Sequence, residues 1–173
     1  EMIATRKETY YKSLFQQCSS MMMTLNKIPQ PVIARVHGIA TAAGCQLVGA
    51  CDLAVASEDA RFATSGINVG LFCSTPSVPV SRNIPRKQAM ELLLTGEFID
   101  ANTALKWGLI NRIAPREKLD EEVQKLADAI LSKSSVAVFT GKKMFYKQLE
   151  KNMEDAYAFA GEIMACNMMA EDV

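Results

Sequence analysis

Residues 31–57, PVIARVHGIATAAGCQLVGACDLAVAS, constrain this chain more than any other stretch. Residues 32–36 form a short, β-branched apolar run with one charge, Arg35, and read as a largely buried strand. Gly38 marks the strand end, and residues 39–43 are small enough to let something approach the backbone closely. From Gly44 the apolar positions Cys45, Leu47, Val48 and Cys51 predict a short helix ending near Asp52, before a second buried strand over 53–56. Strand, small-residue turn, helix and strand follow in that order. The turn at 42–44 therefore carries the free N–H groups and partial positive charge of a helix N-terminus, which suit an anion or a developing oxyanion.

Two phosphate-binding readings of the turn fail. A dinucleotide fingerprint needs G-x-G-x-x-G, but Gly38, Gly44 and Gly49 are wrongly spaced. A P-loop needs Gly-Lys-Ser/Thr, whereas Gly44 is followed by Cys45 and Gln46. Spacing alone leaves open both a functional turn and simple close packing of helix on sheet.

The stretch resembles the core signature of the crotonase, or enoyl-CoA hydratase/isomerase, superfamily. There a strand of type P-V-I-A-x-V-x-G leads into A-x-G-G-G-C-E-L and then C-D. Pro31 to Val36, Gly38, Ala40, Gly44, Cys45, Leu47, Cys51 and Asp52 coincide with it. Ala60-Arg61-Phe62, Leu94-Thr95-Gly96 with Asp100-Ala101, and Ala104 with Trp107-Gly108-Leu109-Ile110 follow in the family's order, so the likeness runs from about Lys27 onward. Within the superfamily, residues 42–47 (AAGCQL) and 68–76 (NVGLFCSTP) are most similar to the enoyl-CoA hydratase domain-containing protein 3 group.

This resemblance implies an α/β fold, a crotonase-like spiral of ββα repeats whose C-terminal helices pack in a homotrimer or a dimer of trimers. Residues 1–113 would belong to the spiral core and 114–173 to the helical trimerisation region. Family members normally carry an earlier strand-rich portion and a further helix after a motif like Ala170-Glu171-Asp172. The chain is thus expected to be a fragment lacking both. The ligand implied is an acyl-CoA thioester of fatty acid metabolism, with coenzyme A as part of the substrate and no separate cofactor. The compartment implied is the cytoplasm in a bacterium and the mitochondrial matrix in a eukaryote.

Composition is compatible with these expectations. Nineteen basic and nineteen acidic residues balance, and no basic stripe marks a nucleic-acid or anionic-membrane surface. No apolar run approaches a membrane span. Five cysteines without a C-x-x-C indicate neither a disulfide framework nor a zinc site, and fit a reducing compartment.

Along the rest of the chain, Tyr11, Leu14, Phe15, Cys18, Met22 and Leu25 predict an amphipathic helix over 8–26, ended by Pro29 and Pro31. Met21–Met23 read as core filler rather than a methionine-rich binding surface. After Pro85 a helix over Ala89, Leu92 and Leu93 closes at Gly96, and Asp100 caps another that ends at Gly108. A strand is predicted over 109–113, then helices through Leu119, Val123, Leu126 and Ile130, over 136–149 and over 156–168. Lys142, Lys143 and Lys147 read as a solvated helix face, with the coenzyme A phosphates as the alternative partner. Tyr157, Phe159, Ile163 and Met164 are where the implied subunit interface is expected.

The resemblance also assigns site positions. The backbone N–H of Ala43 would be one oxyanion-hole donor, the other coming from an earlier part of the fold. Gln46 stands where hydratases carry one acid/base glutamate, and Gly66 where they carry the other. Glutamine cannot exchange a proton at working pH, and glycine has no side chain. Each lost acid/base group removes typically ~10²- to 10⁴-fold, so hydration is expected to be extremely slow. Ile39, Ala40, Gly44, Asn68, Leu71 and Phe72 are expected to line the acyl-thioester site. Cys73 has two readings, a nucleophile or a buried small apolar residue, and no second histidine is available to activate it. His37, the single histidine, reads as a polar strand-end residue rather than a general base. Two functional classes remain: an enzyme acting on acyl-CoA by oxyanion stabilisation, and a non-catalytic acyl-CoA binder or assembly subunit.

Overall fold

The computed structural model describes residues 7–169, so the Ala170–Asp172 motif lies outside the described residues. The first element is the amphipathic helix α1 (Glu8–Lys27). Its C-cap Ile28 turns to extended backbone ahead of Pro29, as the steric demand of proline on its predecessor requires. Of the methionine triplet only Met22 is buried; Met21 and Met23 are exposed, because one helix face alone meets the body of the protein.

Next come β1 (Ile33–Val36) and β2 (Ile39–Thr41), the helix α2 (Ala43–Ala50), then β3 (Leu53–Ser57) and β4 (Arg61–Ala63). The small-residue turn expected over 39–43 is shorter than the sequence suggests. Residues 39–41 pair in parallel with 61–63 as a strand, leaving Ala42 alone to turn the chain. A 3-10 turn (Ser65–Val69) follows, then α3 (Ser74–Asn83) and α4 (Arg86–Thr95). The short strand β5 (Ile99–Asp100) leads into α5 (Ala101–Trp107), with the Asp100 side chain accepting from the Thr103 N–H at 2.7 Å as N-cap. Strand β6 occupies Arg112–Ala114, later than expected. Asn111 just before it is held by other bonds: its N–H donates to the Ala54 carbonyl and its side chain accepts from the Ala54 N–H. The chain closes with α6 (Leu119–Leu131), α7 (Ser135–Gln148) and α8 (Met153–Asn167).

Two three-stranded sheets result, ordered β1-β3-β6 and β2-β4-β5. Each strand-strand-helix unit thus gives its first strand to one sheet and its second to the other, which winds the chain into a spiral. All pairings are parallel except β4 with β5. The core lies between sheets and helices around Cys45, Val48, Phe62, Val80, Leu92, Ala101 and Ala104. None of the described helices is long and apolar enough to cross a membrane.

A buried polar junction joins α7 to this core. The Lys142 ammonium donates to the carbonyls of Leu25 (2.7 Å) and Gln30 (2.8 Å) and to Asp52 Oδ2 (2.6 Å), with its side chain only 6% exposed. Tyr146 donates to Asp52 Oδ1 at 2.7 Å, and the Val32 N–H donates to Oδ2 at 2.6 Å. Lys142 therefore does not belong to a solvated face. Its three donors are consumed by two backbone carbonyls and one carboxylate, which makes burial of the charge tolerable.

Candidate active site

The site begins at Ala42. Its φ of 49° and ψ of −114° make it the one non-glycine residue with positive φ among those described. The left-handed half of backbone space is costly for a residue with a Cβ. Two backbone bonds hold it there: its N–H donates to the Ala63 carbonyl of β4, and its carbonyl accepts from the Gln46 N–H, both at 3.0 Å. This sharp reversal swings the chain from β2 directly into α2. The amides of Ala43, Gly44 and Cys45 therefore open the helix, where no carbonyl four residues earlier within it can receive them. Ala43, the first residue of α2, is exposed.

Behind the turn, α2 packs on α3 with parallel sense. Cys45 near the start of α2 neighbours Cys73, the N-cap of α3, and a Cβ on Gly49 would lie 3.4 Å from Pro79. At the far end, the Asn83 side chain donates to the Gly49 carbonyl at 2.8 Å. Both helix N-termini hence lie side by side. Burial, and after it the neighbouring Cys73 thiol, pushes Cys45 up to about 12, so Cys45 is inert at neutral pH.

Gln46 is 3% exposed, and its Oε1 is buried without a hydrogen-bond partner. Gly66 lies in the 3-10 turn, where a Cβ would come within 2.6 Å of the Leu71 carbonyl oxygen and 2.8 Å of Cys73 Sγ. The space that a side chain at 66 would use is already filled by those two groups. The carboxylates nearest in sequence, Glu58 and Asp59, are exposed, and Asp59 pairs with Arg116.

Of the expected lining residues, Ile39, Ala40 and Gly44 come together with Leu47 and His37 around an apolar cleft of about 400 Å³. Its far wall is Leu25 of α1 and the strand β1. Asn68, Leu71 and Phe72 are not among the residues lining it. The Asn68 amide donates to the Gly96 carbonyl at 3.4 Å, and Leu71 and Phe72 are exposed after Gly70. His37 is exposed on the rim. Two features of the site escape sequence reading: the strain at Ala42, which depends on φ alone, and the contact between Cys73 and position 66.

A two-sheet spiral, parallel but for the β4–β5 pairing, with a helix N-terminus presented after β2 defines a protein of the crotonase class. In agreement, the family model for enoyl-CoA hydratase/isomerase matches residues 1–172, and the chain belongs to that family. It is 48% identical over 172 residues to enoyl-CoA hydratase domain-containing protein 3, mitochondrial, of Rattus norvegicus, covering 99% of this chain and 57% of that protein. The human protein of the same description is 46% identical over 172 residues, again 99% and 57%. Among solved structures, an enoyl-CoA hydratase of Mycobacterium smegmatis matches with TM-score 0.96 and 55% identity over 97% of this chain and 65% of that one. Human enoyl-CoA hydratase domain-containing protein 3 matches with TM-score 0.94 and 47% identity over 98% and 67%. The chain thus spans little more than half the length of these curated relatives, and its likeness to the domain-containing protein 3 group agrees with residues 42–47 and 68–76.

Proposed function

We propose that the protein binds an acyl-CoA thioester with its carbonyl at the Ala43 amide and its acyl chain directed toward the cleft of Ile39, Ala40 and Gly44. The observation that carries this reading is the strained Ala42 turn, which fixes the backbone leading into the exposed first-turn residue Ala43 before any ligand arrives. Strain persists where the surroundings enforce it, and such places cluster at binding and reacting centres. An amide fixed in this way stabilises negative charge growing on a thioester oxygen, and one such donor is worth ~3 kcal/mol.

Proton transfer has no equivalent support. Gln46 cannot serve as acid or base, and Gly66 is walled in by the Leu71 carbonyl and Cys73. The reading is therefore a crotonase-family protein of fatty acid metabolism that polarises its thioester without the usual glutamate pair. The crowding at Gly66 favours the second reading, a non-catalytic acyl-CoA binder or assembly subunit. The exposed Tyr157 and Met164 on α8 support assembly as a homotrimer or a dimer of trimers through the helices of 114–173. The mitochondrial relatives support the mitochondrial matrix in a eukaryote; a bacterial host would place the protein in the cytoplasm.

The test is hydration of crotonyl-CoA by the full-length protein, followed through loss of enoyl absorbance, with calorimetric binding of butyryl-CoA in parallel. Saturable binding with turnover at or near the background rate is expected. Turnover at ordinary enzyme rates would overturn the reading of Gln46 and Gly66, and absence of binding would overturn the thioester site.

A further inference from the structure

A half-buried hydroxyl pair lies beside the strained turn. Thr41 is the last residue of β2, immediately before Ala42, and Ser65 opens the 3-10 turn, immediately before Gly66. Their side-chain oxygens are 2.7 Å apart and share a hydrogen bond in which either can donate. Strands β2 and β4 run in parallel with Thr41 opposite Ala63, so the segments that leave the two strand ends start side by side. Thr64, between Ala63 and Ser65, is fully buried, and its hydroxyl donates to the Leu92 carbonyl of α4 at 2.7 Å. The end of β4 is thus fastened to α4 through Thr64 and to the end of β2 through Ser65.

We infer that Thr41 and Ser65 are positioning residues, whose shared hydrogen bond locks the Ala42 turn to the 3-10 turn and so sets the direction of the Ala43 amide. For ligand affinity the inference rests on the thioester reading of that amide; the coupling of the two turns stands without it. A residue held at positive φ stays there only while its surroundings enforce it. Ala42 has no side-chain donor or acceptor with which to brace itself, and Thr41 supplies the peptide unit that enters it. Threonine is β-branched and restricted at χ1, so a bond at its Oγ1 fixes the backbone of residue 41 more directly than a bond at the tip of a long side chain. On the other side, Ser65 belongs to a turn that is itself braced. The Asn68 amide donates to the Gly96 carbonyl at 3.4 Å, and the Leu71 N–H donates to the Gly66 carbonyl at 2.9 Å. Losing one neutral hydrogen bond of this kind shifts a local opening equilibrium by roughly two- to tenfold.

The experiment follows amide hydrogen exchange of the full-length protein by mass spectrometry over residues 39–47 and 66–72, with calorimetric Kd values for butyryl-CoA alongside. Ser65→Ala is expected to speed exchange of the Ala42 and Gln46 N–H groups, whose bonds hold the turn across from it, by about two- to tenfold. Thr41→Val keeps the branched shape without the hydroxyl and is expected to speed the Leu71 N–H in return; it stands in if Ser65→Ala does not fold. The double variant should exchange no faster than the faster single one, because either change removes the same bond. Thr41→Ser, which keeps a hydroxyl, should restore slow exchange. Changes confined to the mutated turn, or additive effects in the double variant, overturn the coupling. Butyryl-CoA affinity should fall about two- to tenfold in Ser65→Ala and Thr41→Val and stay within about twofold in Thr41→Ser. Unchanged affinity despite faster exchange overturns the positioning role and leaves the pair a structural fastening. Failure of the unaltered protein to bind butyryl-CoA overturns the thioester reading instead, and the exchange data still decide whether the two turns are coupled.

Discussion

Ala42→Gly tests whether the turn at the site stores strain. Ala42 sits at φ 49° and ψ −114°, a conformation glycine adopts without penalty. Backbone strain of this kind costs of order 1–3 kcal/mol. Glycine returns part of that through the larger entropy of its unfolded chain, roughly 0.5–1 kcal/mol. The two bonds that hold the residue, to the Ala63 carbonyl and from the Gln46 N–H, are backbone bonds and survive the change. The net expectation is a gain of about 0.5–2 kcal/mol, which for a chain of this size raises Tm by roughly 1–8 °C. Urea unfolding followed by circular dichroism would measure it, with butyryl-CoA binding as a check that the Ala43 amide has not moved. A stability that is unchanged or lower, with an unchanged dependence on denaturant, would refute the claim and assign the Ala42 methyl a compensating packing role.

Three further perturbations follow from particular contacts. Gly66→Ala should destabilise by ~1–3 kcal/mol in urea unfolding, because its methyl meets the Leu71 carbonyl and the Cys73 thiol. Adding Cys73→Ala should recover only part, since the carbonyl belongs to the backbone; full recovery would show that the thiol alone fills the space. Burial raises Cys45, so its contribution to stability is complete below the unfolded thiol value near 8.5 and is lost as pH climbs toward 12. By pH 10 the loss should reach about 2 kcal/mol, and Cys45→Ala should flatten most of the decline, the residue coming from Cys51 and Tyr146, which burial also raises. An undiminished slope in that variant would reject the assignment. Asp52→Asn should cost ~3–5 kcal/mol by stripping Lys142 of its buried counter-charge, and Lys142→Met less, because Asp52 keeps the Val32 N–H and the Tyr146 hydroxyl. Additive losses in the double variant would refute the coupling.

Much of the spiral is legible in the sequence because its signals are local. The β-branched run at 33–36, the proline stop after α1 and the Asp100 cap each act within a few residues, and each element forms there. What escapes is set by distant partners. Strand β2 is a run of small residues, and only its pairing with residues 61–63 makes it a strand. Helix α3 contains Pro79, a residue that disfavours helix interiors. Pro76 fits its first turn, and close packing against Gly49 of α2 holds the rest in place. Lys142 lies beside Lys143 in sequence, and nothing within α7 distinguishes the buried lysine from its neighbour; the acceptors are on the segments 25–30 and 52. At the site, the identities of Gln46 and Gly66 are read directly, whereas the filled space beside Gly66 is a property of the 71–73 loop.

The two ends of α2 connect these observations. At its entrance, Ala42 is forced through positive φ by bonds to β4 and to the helix itself, which fixes the direction of the Ala43 amide. Just beyond its exit, Asp52 is fastened by Lys142 and Tyr146 of α7 and by the Val32 N–H at the head of β1. An eight-residue helix clamped at both ends has little freedom to slide or tilt. Loss of Asp52 would then act at the far end of the helix, some 12 Å away at 1.5 Å per residue over its eight residues. It should loosen the amide that the thioester reading requires. A ligand-binding defect in Asp52→Asn under conditions where the variant remains folded is the signature of that linkage; intact affinity would confine the junction to holding α7 on the core.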